Sequence, residues 1–194
     1  HGCVMDHTDA LNNWNWDLIA DQNNVIVVFP FVTSFTEMRS ENCWGYWFDN
    51  HVQENGNGEV DDIHAIATTV EGAYNIDPER RYITGLSSGG AMTVAAAIAY
   101  NEYFAAAAPT AGLAYGDGSS SVTAEQFNST SFHVNKINAE LDDTRKIPMM
   151  VVQSNNDEVV RISAGKLIRD SHLTAFGADL NVDQTMDCTA EGVS

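Results

Sequence analysis

Apolar residues in this 194-residue chain fall into two patterns, short continuous runs and longer stretches that recur every three to four positions. Val25-Ile-Val-Val-Phe-Pro30 is a continuous β-branched run, which predicts a strand buried on both faces of a parallel sheet. Arg81-Tyr-Ile-Thr84, Phe104-Ala-Ala-Ala-Ala-Pro109 and Ile147-Pro-Met-Met-Val-Val152 predict further core strands. Helical periodicity appears over Glu59 to Ala73, where Val60, Ile63, Ile66, Ala67 and Val70 share a face and Asp61 and Asp62 lie near the positive N-terminus. Gly90 to Tyr100 and Ser163 to about Phe176 predict two more helices. The polar, weakly periodic stretch from Ala124 to Arg145 predicts a helical excursion over the sheet edge.

The connections carry turn chemistry. Asn55-Gly-Asn-Gly58, Asn75-Ile-Asp-Pro78 and the Gly116–Ser121 cluster are loops, and a polar, aromatic-rich connection leads through Trp44 to Phe48. There are no internal repeats. Strand, helix, strand, helix in this order predicts one domain over residues 1–194, an α/β fold with a mostly parallel, doubly wound sheet and helices on both faces.

Candidate chemistry enters at Gly85-Leu-Ser-Ser-Gly89, a G-x-S-x-G pentapeptide. A strand before it and a helix after it are what the motif needs, because the sharp turn between them exposes the hydroxyl of the middle serine. Ser87 is thus the candidate nucleophile. Asp157 lies in the polar loop after the Met149–Val152 strand, where the acid of such a site is expected, with Glu158 as its close competitor. The acid would hold a histidine tautomer and stabilise the imidazolium. An oxyanion hole needs two backbone N–H groups: one is expected from Ser88, the other from the loop His1-Gly2-Cys3.

Charge narrows the partners. Lys and Arg number 9 against 27 Asp and Glu, a net charge of −18, so nucleic acid and anionic membrane surfaces are poor partners. The excess reads as a highly soluble, salt-adapted surface. The acids are scattered rather than spaced as a calcium loop, and no metal is expected. Cys3, Cys43 and Cys188 make an odd count, which means one pair and an orphan, or a partner outside this stretch.

Several segments occur together and in order: His1-Gly-Cys3, Asn42-Cys-Trp44 with Trp47-Phe48, Gly58-Glu-Val-Asp-Asp-Ile63, Ile76-Asp-Pro-Glu-Arg-Arg-Tyr82, Gly85-Leu-Ser-Ser-Gly-Gly-Ala-Met92, Phe104-Ala-Ala, Ala111-Gly112 and Asp157-x-Val159. Over almost its whole length the chain resembles the poly(3-hydroxybutyrate) depolymerase and feruloyl-esterase-like group of secreted α/β-hydrolases. The resemblance implies Ser87 as nucleophile, Asp157 as triad acid, the amides of Cys3 and Ser88 as oxyanion hole, and a Cys3–Cys43 disulfide. It implies no cofactor, and a secreted or periplasmic enzyme. Trp44, with Tyr46, Trp47 and Phe48, is expected to line an apolar acyl or polyester cleft, and Trp14 and Trp16 to pack under the first crossover helix.

The group's histidine lies in a loop well past the acid. Here only His172 follows Asp157, and it falls inside the Ser163–Phe176 helix, where it reads as a surface residue. His1 reads as a packing and loop-bonding residue. The expectation is therefore a domain truncated at both ends, lacking its first strand, with its histidine and the partner of Cys188 beyond Ser194. Asn128-Ser-Thr130 is a glycosylation sequon, of consequence only in a eukaryotic secretory host. The leading expectation is a serine esterase on polyhydroxyalkanoates or their oligomers. Open beside it stand a feruloyl or acetylxylan type of carboxylesterase and a non-catalytic hydrolase-like binding module. An amidase on an acidic polymer is disfavoured, since a −18 chain repels a polyanion.

Overall fold

A computed structural model describes residues 1–35, 39, 41–124, 127–142, 145–179 and 181. Its elements are α1 (His7–Asn13), α2 (Trp16–Asn23), α3 (Asp49–Val52), α4 (Glu59–Ala73), a 3-10 turn at Pro78–Arg80, β1 (Tyr82–Leu86), α5 (Ser88–Ala99), β2 (Ala106–Thr110), α6 (Ser120–Ala124), α7 (Thr130–Glu140) and α8 (Ile162–Ala175). No helix among the described residues is long and apolar enough to cross a membrane.

The centre is the unit β1–α5–β2. The two strands pair in parallel, from Tyr82 opposite Ala106 to Leu86 opposite Thr110. Every residue of α5 is buried. Its sequence explains this: small apolar residues line all sides, so the helix can be enclosed without leaving a polar face dry. Met92 and Ile98 are among its fully buried side chains.

The predicted strand at 147–152 lies beside β2. Ala107 N–H donates to Pro148 O, Met150 N–H to Ala107 O, Val152 N–H to Pro109 O and Ala111 N–H to Val152 O. Parallel bridges join Ala107 to Met149 and Thr110 to Val152. Three parallel segments therefore end together, which fixes where the chemistry can sit.

The stretch Val25–Pro30 departs from expectation. It is extended but belongs to no ladder, and instead of being buried on both faces it leaves Ile26 46% and Val28 40% exposed. A strand exists only through a hydrogen-bonded neighbour, and none of the described residues supplies one. This run, β1, α4 and the half-buried Trp14 and Trp16 line one cavity of about 1060 Å³. Helices α1 and α2 were not anticipated. The first is started by Asp6, whose carboxylate accepts Thr8 N–H and Asp9 N–H while Asp9 returns a bond to Asp6 N–H, a reciprocal cap.

Candidate active site

Ser87 stands between the last residue of β1 and the first of α5, with φ 58° and ψ −119°. A non-glycine residue in that region is strained. Neighbouring bonds hold it there: Ser87 N–H donates to Thr110 O at 2.9 Å, and Ala91 N–H donates to Ser87 O at 2.9 Å. The flanking glycines permit the corner sterically. A Cβ on Gly85 would lie 2.4 Å from Gly89 O, and one on Gly89 would lie 2.4 Å from His1 O. The same contact brings the N-terminal loop over the turn, since a Cβ on Gly2 would lie 3.2 Å from Ser87 Cβ. The amide of Ser88 opens α5, where the first N–H groups of a helix have no intrahelical acceptor.

Asp157 projects from the loop that follows the third parallel segment. Ser87 N–H is bonded to Thr110 O, and Thr110 is bridged to Val152, so the serine and the acid loop lie at the same end of the sheet. One oxygen, Oδ1, accepts Val159 N–H and Val160 N–H, each at 2.9 Å. The other, Oδ2, has a long 3.4 Å contact with Gln153 Nε2, which is chiefly engaged by Val160 O at 2.6 Å. The two competing acids differ in exposure, Asp157 being half-buried and Glu158 exposed.

The His1–Cys3 loop is tied to the tryptophan-bearing loop at several points. Cys3 and Cys43 form a disulfide. Asn42 Nδ2 donates to Met5 O. Trp44 N–H donates to Ser88 Oγ at 3.2 Å. The indole of Trp44 is only 5% exposed and packs against the His1 ring, centroids 5.5 Å apart. Trp44 therefore meets this region through its backbone amide, while Trp47 and Phe48 are the half-buried aromatic surfaces of the loop. Cys188 lies outside the described residues.

His1 and His172 have defined partners. Val32 N–H donates to His1 Nε2 at 3.3 Å, so His1 Nδ1 carries the proton and donates to Gly2 O at 2.9 Å. His1 is a loop-bonding residue, as expected. His172 is not the surface residue its helix position suggested. Its Nε2 meets Ile147 O at 2.8 Å, and burial lowers its pKa. The reason is visible in spacing: α8 buries Ala164, Ile168 and Ser171, and His172 follows Ile168 by four residues. Neither imidazole is hydrogen-bonded to Ser87 or Asp157.

A second Ser–Asp–His grouping was not anticipated. Ser121 Oγ donates to Asp117 Oδ1 at 3.2 Å, and His133 Nε2 lies 3.4 Å from that oxygen with its Nδ1 against Tyr115 O. Asp117 and His133 side chains are fully buried, and burial pushes the Asp117 carboxyl upward. The serine bonds the acid rather than the imidazole, and substrate has no access. It is a packing network, not a catalytic one.

A family model described as Esterase PHB depolymerase matches residues 1–186. The chain is similar to poly(3-hydroxyalkanoate) depolymerase C of Paucimonas lemoignei, 34% identical over 59% of this chain and 27% of that protein. It is similar to feruloyl esterase B of Neurospora crassa, 29% identical over 66% of this chain and 42% of the relative. A probable acetylxylan esterase A of Neosartorya fischeri is 33% identical over 50% of this chain and 25% of its own length. The matched stretch thus spans less than half of each of these relatives. Among solved structures, an acetyl xylan esterase from Aspergillus awamori superposes with a TM-score of 0.85 at 22% identity, covering 98% of this chain and 73% of that one. The fold is that of the α/β-hydrolases.

Proposed function

The chain belongs to the PHB depolymerase family of esterases, and from that premise we propose that it is a serine hydrolase of carboxylic esters acting through an acyl-enzyme. The observation that carries this reading is the backbone of Ser87, a strained non-glycine corner between β1 and α5 with Gly2 lying against it. Backbone strain of this kind is retained where it aims a reacting group.

Ser87 Oγ attacks the ester carbonyl carbon while its proton passes to an imidazole held by Asp157 Oδ2. The carbonyl oxygen becomes an oxyanion, stabilised by the N–H groups of Cys3 and Ser88. Collapse of the tetrahedral species breaks the bond to the alcohol oxygen, which takes the proton and leaves. Water repeats the sequence on the acyl-serine and releases the acid. The double amide clamp on Asp157 Oδ1 supports its role, since it leaves the second oxygen to orient a histidine.

The preferred substrate is a polyhydroxyalkanoate ester or its oligomers, with Trp47 and Phe48 as apolar wall. Feruloyl and acetylxylan esters are the second reading, favoured by the relatives bearing those names. The disulfide supports a secreted or periplasmic location, because such bonds persist in oxidising compartments.

Labelling with a fluorophosphonate should add one adduct, on Ser87. Ser87→Ala should lose the adduct and about 10⁶-fold in kcat on p-nitrophenyl butyrate, and Asp157→Asn about 10⁴-fold. Clearing of polyhydroxybutyrate films, compared with methyl ferulate and acetylated xylan hydrolysis, ranks the substrates. An unlabelled Ser87 with no activity on any ester would leave a binding module instead.

A further inference from the structure

A glutamate at the first position of a helix is ordinarily a solvated surface residue that complements the helix dipole. Glu59 opens α4 and is only 4% exposed. Its Oε2 accepts Gly45 N–H at 2.5 Å. Its Oε1 is paired with Arg39 Nη2 and lies 3.4 Å from His51 Nδ1. Arg39, its side chain 9% exposed, reaches onward through Nη1 to Cys43 O at 2.7 Å. Buried charges are retained where they are paired and hydrogen-bonded, and removing one partner is strongly unfavourable.

The consequence is that three successive residues are each held through the backbone. Cys43 O accepts from Arg39, Trp44 N–H donates to Ser88 Oγ, and Gly45 N–H donates to Glu59. Cys43 is also bonded covalently to Cys3. The short segment 43–45 thus touches both residues whose amides form the oxyanion hole, one by disulfide and one by hydrogen bond. Gly45 allows the approach, since a Cβ there would lie 2.9 Å from His51 Nδ1 and 3.3 Å from Glu59 Oε2.

We infer that Glu59 is a positioning residue for ester hydrolysis: with Arg39 it clamps residues 43–45 and so sets the spacing of the Cys3 and Ser88 amides. The inference rests on the Ser87 reading above. Misplacing a transition-state donor by about 1 Å costs about 10²-fold, and such a donor acts on the transition state more than on bound substrate. The effect belongs in kcat.

The test uses the full-length protein, with active sites counted by fluorophosphonate titration so that loss of folded enzyme is removed from the comparison. With p-nitrophenyl butyrate, Glu59→Ala should lower kcat per titrated site by about 100-fold, and Glu59→Gln, which keeps an acceptor for Gly45 N–H, by about 10-fold. KM should stay within about twofold in both. Gly45→Ala, which pushes the carboxylate from the other side, should lower kcat in the same direction, and with Glu59→Gln it decides the matter if Glu59→Ala yields no titratable sites. Unchanged kcat per site in these variants, or a change confined to KM, overturns the inference. Ser87→Ala separates the failures: if that variant is inactive while the Glu59 variants turn over normally, only the positioning role falls. If Ser87→Ala stays active, the site itself is wrong.

Discussion

Ser87 and Asp157 share a mode of support: each is held chiefly by main-chain groups. Thr110 O and Ala91 N–H fix the serine, and the amides of Val159 and Val160 fix the aspartate. Backbone anchors do not depend on which surface side chains surround them. Glu54 shows the opposite, a residue set by its side-chain neighbours. A hydrogen bond to Asp142, then burial, then the charges of Asp142, Glu102 and Glu140 raise its pKa from 4.5 to about 7. A carboxyl raised in the folded state holds a proton that the unfolded chain releases. Its contribution is fully present below about pH 4.5 and lost as pH rises through about 7. Melting temperature should therefore fall over that range, and Glu54→Gln should flatten the fall. Parallel profiles for the two proteins would show that Glu54 does not carry the proton.

Among elements, α5 owes its place to composition. Twelve buried positions, eight of them alanine, glycine or serine, let it approach the sheet and the His1–Cys3 loop closely. The two loops over its N-terminus have no such regular packing and are joined instead by the disulfide, which closes a separation of 40 residues. Constraining the unfolded chain over that length is worth about 4 kcal/mol. Cys3→Ser with Cys43→Ser should lower the melting temperature by about 10 °C, measured without reductant. A double variant that melts with the parent would mean that native strain cancels the gain. The unpaired run Val25–Pro30 marks where element prediction reached its limit. Its residues are β-formers, but a ladder is a property of two segments, and periodicity reports on one.

At the scale of the molecule, the acidic excess sets behaviour in solution. Nine basic side chains face 27 acidic ones, and several of the nine are already engaged, Arg39 with Glu59, Arg81 with Glu71 and Arg169 with Asp170. The remaining carboxylates repel one another, and salt screens that repulsion over about 10 Å at 0.1 M. Raising sodium chloride from 0.05 to 1 M should raise the melting temperature by a few degrees, equivalent to about 1 kcal/mol. A flat or falling curve would show that the surface charges are too dispersed to oppose folding.

The βαβ centre and its serine corner were legible from sequence because they are local: a β-rich run, G-x-S-x-G and a helix former are contiguous, and strain at Ser87 follows from the turn between them. The place of Asp157 in the loop after the third parallel segment was legible for a similar reason, since it lies just past a run that itself reads as a strand. Whatever depends on distant residues was decided by packing. The order of residues does not say that Glu59 turns inward to Gly45 and Arg39, that the Trp44 indole is enclosed while its amide reaches Ser88, or that His172 is spent on Ile147 O. Polar side chains take their roles from the partners that the fold brings to them, and a hydrogen bond spanning tens of residues leaves no periodic trace in the chain.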